Sequence, residues 1–308
     1  MPVARLVITG ASGFIGRHAV AELCTREFEI HALLRKPWQG APAAVTQHLV
    51  DLNDTAALNR AMCEIAPSRL LHLAWDVTPG CFWSAPANLD WVAMSLHLYR
   101  AFATAGGRRL VVAGSCAEYA WSRPLLDEMR TPLAPHSLYG AAKHGLHGIL
   151  ESAAEQAGLE LAWARIFIPY GPYENKSRLV PSVACALLQG REIACGDGQI
   201  ERDMIHAADA GAALCAILES SYTGPVNIAS GQCVKLRDVI GKIGALIGRP
   251  ELIRYAARPK APDEPPKLAA ATAILHDRLG FRPRFTLDDG LADAVNWWRA
   301  ALWREART

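Results

Sequence analysis

The chain has no apolar run of about 18 residues, the length that a membrane-crossing helix needs, so nothing in it is expected to span a bilayer. It also lacks a CxxC and any His cluster at zinc spacing, and its eight cysteines (Cys24, Cys63, Cys81, Cys116, Cys185, Cys195, Cys215 and Cys233) are scattered. Isolated cysteines in a chain of this length behave as small buried apolar residues. A reduced, cytoplasmic protein with no metal site is the expectation. Charge of one sign is missing too: 32 Lys plus Arg face 30 Asp plus Glu, for a formal net charge of +2. That balance gives no field for steering onto DNA, RNA or an anionic lipid surface. No repeat or low-complexity tail appears. The opening MPVARLVITG lacks the charged region, apolar stretch and cleavage site of a secretory leader. It reads as a strand that begins at once.

What remains is apolar and globular. Hydrophobic residues make up 51% of the 308 and charged residues 20%, which excludes disorder as the main state and allows one large domain or two modest ones. In the first half, short apolar runs alternate with helical segments. The runs are 3–9, 28–34, 45–50, 69–74, 109–113 and 161–167, and a helix is expected from Gly13 to about Thr25. Runs with little polar alternation suit strands covered on both faces, hence a parallel sheet between helices. The expected class is α/β: a Rossmann-type, doubly wound parallel sheet with a smaller, discontinuous α/β lobe. Residues 1–170 would form the dinucleotide-binding domain, with 205–230 returning to it. The lobe would comprise 171–204 and 231–308. In the second half of the chain the expected elements are a helix over 178–188, a helix around 209–219, a strand at 226–228 and a prolyl connection over 259–266. The last helix, 287 to about 304, would dock Trp297, Trp298 and Trp303 on the body.

Thr9-Gly10-Ala11-Ser12-Gly13-Phe14-Ile15-Gly16 closes the first strand and opens the first helix. Gly10 permits a tight turn, Gly13 lets the backbone approach a pyrophosphate, and Gly16 lets helix and strand pack closely. The helix N-terminus, at Phe14 and Ile15, offers free N–H groups to phosphate. A tight turn without a ligand is the bland alternative; the place directly after the first strand favours a dinucleotide. An NAD site usually has an acid at the end of the second strand, for the ribose 2′-OH. Here Arg35 and Lys36 stand there, which favours NADP, with NAD still possible and a solvated pair of bases the plain alternative. Asp51 and Leu52 are placed to meet the adenine end, and Leu73, Ala74 and Trp75 to line the cofactor cleft.

Tyr139 and Lys143 stand four residues apart, so on a helix they share a face. A nearby ammonium favours the phenolate and lowers the phenol pKa, and the Lys can also hold the nicotinamide ribose. Ser115 ends the fifth run, where parallel sheets present ligand-facing residues; its hydroxyl can stabilise a developing alkoxide. Taken alone, Ser115 would read as a cap. Trp75, Phe82, Trp83 and Trp91 crowd the stretch after the fourth strand, and Trp121 follows Ser115. Trp75 and Trp83 suit stacking on a sugar or base; a satellite core under a long loop is the alternative.

These segments resemble the extended short-chain dehydrogenase/reductase family of nucleotide-sugar epimerases, dehydratases and reductases, over nearly the whole chain. TGASGFIG resembles its cofactor loop, HLAW (72–75) the segment after the fourth strand, and GSCAEY (114–119) the serine segment. LDEMRTPLAPHSLYGAAK (126–143) resembles the run into the catalytic Tyr and Lys. RIFIPYGP (165–172), GDGQIERDMIHAADAGAAL (196–214) and LGFRPRFTLDDGL (279–291) resemble later signatures. The resemblance implies Ser115, Tyr139 and Lys143 as catalytic, and places Cys116, Ile168, Arg202 and Arg258 on the substrate side, the two arginines against a diphosphate. A pairing of Arg202 with Asp203 is the bland alternative.

Departures from the pattern narrow the reaction. Ile168 stands where the family usually has Asn. Cys116 and Ala117 replace the Asp–Glu pair of the 4,6-dehydratases, and Ala117 stands where fucose-type epimerase-reductases have Cys. The implied function is NADP-dependent 4-keto reduction of a nucleotide deoxyhexose. The alternatives are a nucleotide-sugar 4-epimerase with tightly bound NAD, a reductase of a small carbonyl compound, and a non-catalytic NADP(H) sensor. A homodimer pairing the helices near 88–104 and 138–156 is implied as well.

Overall fold

Strands in this chain form where apolar runs can be covered from both sides. The computed structural model describes residues 3–257 and 264–307. The first half runs β1 (Ala4–Thr9), α1 (Phe14–Leu23), β2 (Phe28–Leu34), β3 (Val45–Leu49), α2 (Thr55–Ile65), β4 (Arg69–His72), α3 (Ala87–Thr104), β5 (Arg109–Ser115), β6 (Leu125–Leu126), α4 (Leu138–Ala157) and β7 (Glu160–Ile166). Then follow β8 (Ile168–Tyr170), α5 (Leu179–Leu188), β9 (Ile193–Ala194), β10 (Glu201–His206), α6 (Ala207–Glu219), β11 (Gly224–Ile228), β12 (Cys233–Lys235), α7 (Leu236–Ile247), β13 (Ile253–Arg254), β14 (Lys267–Ala270) and α8 (Leu287–Glu305).

Seven strands make the main sheet in the order β11-β7-β5-β4-β1-β2-β3, all parallel. The chain leaves β1 toward β2 and β3, then crosses back to β4 and β5. Such an open, doubly wound Rossmann-type sheet has a crevice outside the strand ends where the order reverses. Thr9 pairs with both Leu33 and His72 there. One face of the sheet is sealed by α1 and α6, through Ala19, Val20, Leu23, Ala213 and Leu214. The other is sealed by α2, α3 and α4, through Leu58, Met62, Leu98, Phe102, Leu146 and Leu150. His72 is locked inside, within 2.7 Å of Thr9 Oγ1 and 2.8 Å of Ser95 Oγ. Burial lowers its pKa to about 3, so it is a neutral structural histidine.

A second sheet, β12-β10-β14-β6 with β8 joined to β10, stands over the strand ends. Behind it α5, α7 and α8 share a core of Val180, Val183, Val239, Ile243, Leu291 and Val295. No helix among the described residues is long and apolar enough to cross a membrane. The expected strands and helices are present with small changes of boundary; α1 stops at Leu23 rather than near Thr25. At the C-terminal side one expectation is revised and one lies mostly beyond the described residues. Trp298 is buried, but Trp303 is 57% exposed with Arg307 over its ring, so it is not buried against the body. The prolyl connection falls largely at 258–263, outside the described residues.

Candidate active site

The turn between β1 and α1 is shaped by what its glycines lack. Gly10 has φ +72°, and a Cβ there would come within 2.7 Å of the Ala74 nitrogen and 2.8 Å of the Leu73 carbonyl carbon. A Cβ on Gly16 would run into the Gly10 carbonyl oxygen. The loop therefore lies against the end of β4, with no side chain between. Gly13 caps α1 without a side-chain hydrogen bond, so the first-turn N–H groups at Phe14 and Ile15 face no protein cap. This cradle fits the pyrophosphate of a dinucleotide. Leu73, Ala74 and Trp75 follow β4 along its wall, partly buried.

Arg35 and Lys36 leave β2 exposed at the same edge. Hydrogen bonds from Thr78, with help from Arg35, hold the Asp76 carboxyl below its usual range. Asp51 is exposed and accepts from the Asn53 N–H at 2.9 Å. Leu52 is buried and packs in the core beneath the sheet. Arg17 is a residue that motif reading does not single out. Its Nε donates to Ser12 O at 2.8 Å, and its guanidinium lies between Trp38 at 5.2 Å and Tyr173 at 4.8 Å.

Ser137 starts α4 by accepting the Gly140 N–H at 3.1 Å, which aims Tyr139 and Lys143 from one face toward the end of β5. Tyr139 is ringed by Phe82 (4.9 Å between centroids), Trp83 (5.9 Å) and Trp75 (6.3 Å), and Trp121 abuts Trp83. The Trp loop is fastened to α4 by the Tyr139 N–H donating to Trp83 O at 3.1 Å. Trp83 itself is 40% exposed. Trp75 stacks on Trp91 and donates its indole N–H to Asn88 Oδ1.

Lys143 donates to Ala113 O at 2.7 Å, and its ammonium lies 3.7 Å from the centroid of the Trp75 ring. Burial lowers its pKa to about 7, with Glu118 opposing that shift. Tyr139 differs from the expectation of a depressed phenol. Burial pushes its pKa well up, and a hydrogen bond from Ser115 opposes that only in part. Desolvation outweighs the charges around it.

Ser115 is the last residue of β5 and caps a single turn over Cys116–Glu118, its Oγ accepting the Ala117 N–H at 3.2 Å. Cys116 is buried, its thiol pushed up to about 12 by burial. Ile168 is half-buried on β8, paired with Met204. Arg202 corrects the reading of an ion pair with Asp203. Its partners are Glu264 at 3.0 Å and the carbonyls of Glu201 and Pro265, not Asp203, and only 6% of it is exposed. Asp203 is turned to Ser230, Gly231 and Ala270. Arg258 lies outside the described residues. Arg178, which no motif singled out, caps α5 and is among the charges that act on the Tyr139 phenol. Beside it, 3.8 Å away, Glu174 is raised to about 8 by burial.

Set against known proteins, residues 6–229 match the model of the NAD dependent epimerase/dehydratase family. The chain is 27% identical to the GDP-6-deoxy-D-mannose reductase of Pseudomonas aeruginosa, over 98% of this chain and 99% of that one. It is also 27% identical to the UDP-glucose 4-epimerase of Azospirillum brasilense, over 97% of this chain and 92% of that one. Among solved structures, MoeE5 in complex with UDP-glucose and NAD superposes with a TM-score of 0.83 at 28% identity, over 97% of this chain and 100% of that one.

Proposed function

Because the chain belongs to the NAD-dependent epimerase/dehydratase family, we propose that it reduces the 4-keto group of a nucleotide-linked deoxyhexose, with NADPH as donor. The observation that carries this reading is the gathering of Ser115, Tyr139 and Lys143 at the end of β5, beside the glycine cradle and under an aromatic wall. The nicotinamide would supply hydride to the carbonyl carbon. Tyr139 gives its proton to the carbonyl oxygen, and its raised pKa keeps that proton in place until charge develops. The Ser115 hydroxyl hydrogen-bonds the same oxygen. Lys143, as an ammonium, compensates the phenolate left behind. Phe82, Trp83 and Trp121 exclude water and offer flat faces to the sugar.

Two features favour reduction over the other family reactions. Cys116 and Ala117 provide no acid and base for dehydration, and Glu118, one position further on, is fully buried in an ion pair with Arg165. Arg35 and Lys36 suit a 2′-phosphate, and NADPH suits net reduction. Residues 1–170 with 205–230 serve the cofactor in this reading, and 171–204 with 231–308 the substrate. Arg202 contributes to the diphosphate only if Glu264 gives way. A cytoplasmic homodimer pairing α3 and α4 belongs to the same proposal.

Incubation with NADPH and 4-keto-6-deoxyhexoses carried on GDP, dTDP or UDP tests it, by loss of NADPH absorbance. Interconversion of a nucleotide sugar with no net NADPH loss would replace it by 4-epimerisation. Turnover of simple aldehydes or ketones alone would replace the substrate class. Arg35→Glu is expected to weaken NADPH at least about tenfold more than NADH, read by cofactor fluorescence titration; equal losses would remove Arg35 from the choice.

A further inference from the structure

The end of β5 carries a buried ion pair that the proposed reaction does not use. Glu118 and Arg165 are both 0% exposed and 2.9 Å apart. Glu118 also accepts from Trp163 Nε1 at 2.9 Å and from the Ser115 N–H at 2.7 Å. Arg165 continues to Tyr119 Oη at 3.2 Å and His147 Nδ1 at 3.3 Å, and the Tyr119 hydroxyl donates to Asn227 Oδ1 at 2.7 Å. Buried ion pairs seldom raise stability over hydrocarbon, because desolvation cancels the attraction. A pair retained at such a place calls for another role.

Its location supplies one. Ser115 and Glu118 form a capping box, S-x-x-E, on a turn of three residues, Cys116–Glu118. The carboxylate closes over the bare face of Gly114, where a Cβ would meet Glu118 Oε1 at 2.6 Å. Three consecutive residues of one strand thus meet two oppositely charged groups. Ala113 offers its carbonyl to the Lys143 ammonium, Gly114 offers space to the carboxylate, and Ser115 offers its N–H to it. We propose that Glu118 is a positioning residue, which fixes the Ser115 hydroxyl toward Tyr139 and supplies the negative charge that keeps Lys143 an ammonium. The inference rests on the proposed function for its catalytic meaning, but its physical content is independent of substrate. No carboxylate touches Lys143 among the described ion pairs, and Glu118 is the charge that opposes its loss of a proton.

The test is a pH titration of the full chain labelled with 13Cε-lysine, read by NMR. The chain has seven lysines, and Lys143→Met identifies the signal of Lys143. In Glu118→Gln the midpoint of Lys143 is expected to fall by at least about half a pH unit, and Glu118→Asp, which keeps the charge, is expected to restore most of it. With a turned-over substrate, kcat of Glu118→Gln should fall about 10- to 100-fold while KM changes less than about threefold. If Glu118→Gln does not fold, Glu118→Leu/Arg165→Met removes both charges together, and a smaller fall in midpoint is expected, because loss of the Arg165 cation offsets part of the loss of the carboxylate. An unchanged Lys143 midpoint in a folded variant overturns the proposal. A shifted midpoint in a protein that turns over no nucleotide sugar would overturn the proposed function and leave the charge pairing standing.

Discussion

Lys143 carries its charge at a cost to the fold, and that cost has a sign. Its folded pKa of about 7 lies below the ordinary 10.5, so the unfolded chain holds a proton that the folded chain releases. The penalty is full below pH 7 and disappears as pH rises toward 10.5. Lys143→Met should therefore gain most in Tm relative to the parent in mildly acid solution, and that relative gain should shrink by about 2–4 °C or more toward alkaline pH. Calorimetric scans of both proteins across the range decide it; a pH-independent difference would mean that Lys143 is not desolvated in solution. Tyr139→Phe keeps the ring against Phe82 and Trp83 but removes the proton. It should lower kcat by about 100-fold or more with NADPH affinity unchanged, by steady-state kinetics and fluorescence titration; retained kcat would take Tyr139 out of the chemistry. Both residues were readable in the sequence because a helix turns an i, i+4 spacing into one face. Glu118 was not. Its burial depends on Trp163 and Arg165, 45 and 47 residues further along, and nothing local marks an acid as buried.

Among the elements, the main-sheet strands were legible for one reason. A strand covered on both faces must be apolar throughout, as LVVA in β5 and ALL at the end of β2 are. Strand β10 breaks that rule. It begins Glu-Arg-Asp and becomes a strand because distant residues satisfy each charge: Lys267 for Glu201, Glu264 for Arg202, and Ser230 with Gly231 for Asp203. The helix α2 carries a readable start, Asp54 accepting the Ala57 N–H, and a helical-period stripe, Leu58, Ala61, Met62 and Ile65, that is buried. The β1–α1 turn was legible in detail, because each glycine answers to a steric demand. Gly16→Ala puts a methyl into the Gly10 carbonyl, so α1 must tilt off the cradle. Its NADPH affinity should fall about tenfold or more, with a loss in stability of about 1–3 kcal/mol from overpacking. Isothermal titration and urea unfolding measure both; an unchanged affinity would show that the helix N-terminus does not hold the cofactor.

At the scale of the whole molecule, the helices that seal one face of the sheet present their outer sides to solvent. α3 and α4 pack side by side, and on the outside of α4 the chain has Ala141, Gly145, Gly148 and Ile149, all exposed. Nothing lies within 4 Å of where a Cβ would stand on Gly145 or Gly148, and Ile149 is 51% exposed, as is Leu89 on α3 at 61%. A second copy of the same pair of helices would bury these side chains and let the backbones approach where the glycines stand, making a four-helix bundle across a twofold axis. The proposed dimer has a mechanical consequence. α4 carries Tyr139 and Lys143 near its N-terminus and the dimer face along its length, so association would stiffen the helix that aims the proton donor. Ile149→Asp places a charge at the centre of that face while leaving the inward Leu146 and Leu150 in the core. Sedimentation should then show a species of half the parent mass, with circular dichroism unchanged and kcat lowered by about two- to tenfold as α4 loosens. A parent that sediments as the single chain would remove the dimer, and with it the stiffening of α4, while leaving the chemistry at β5 as argued.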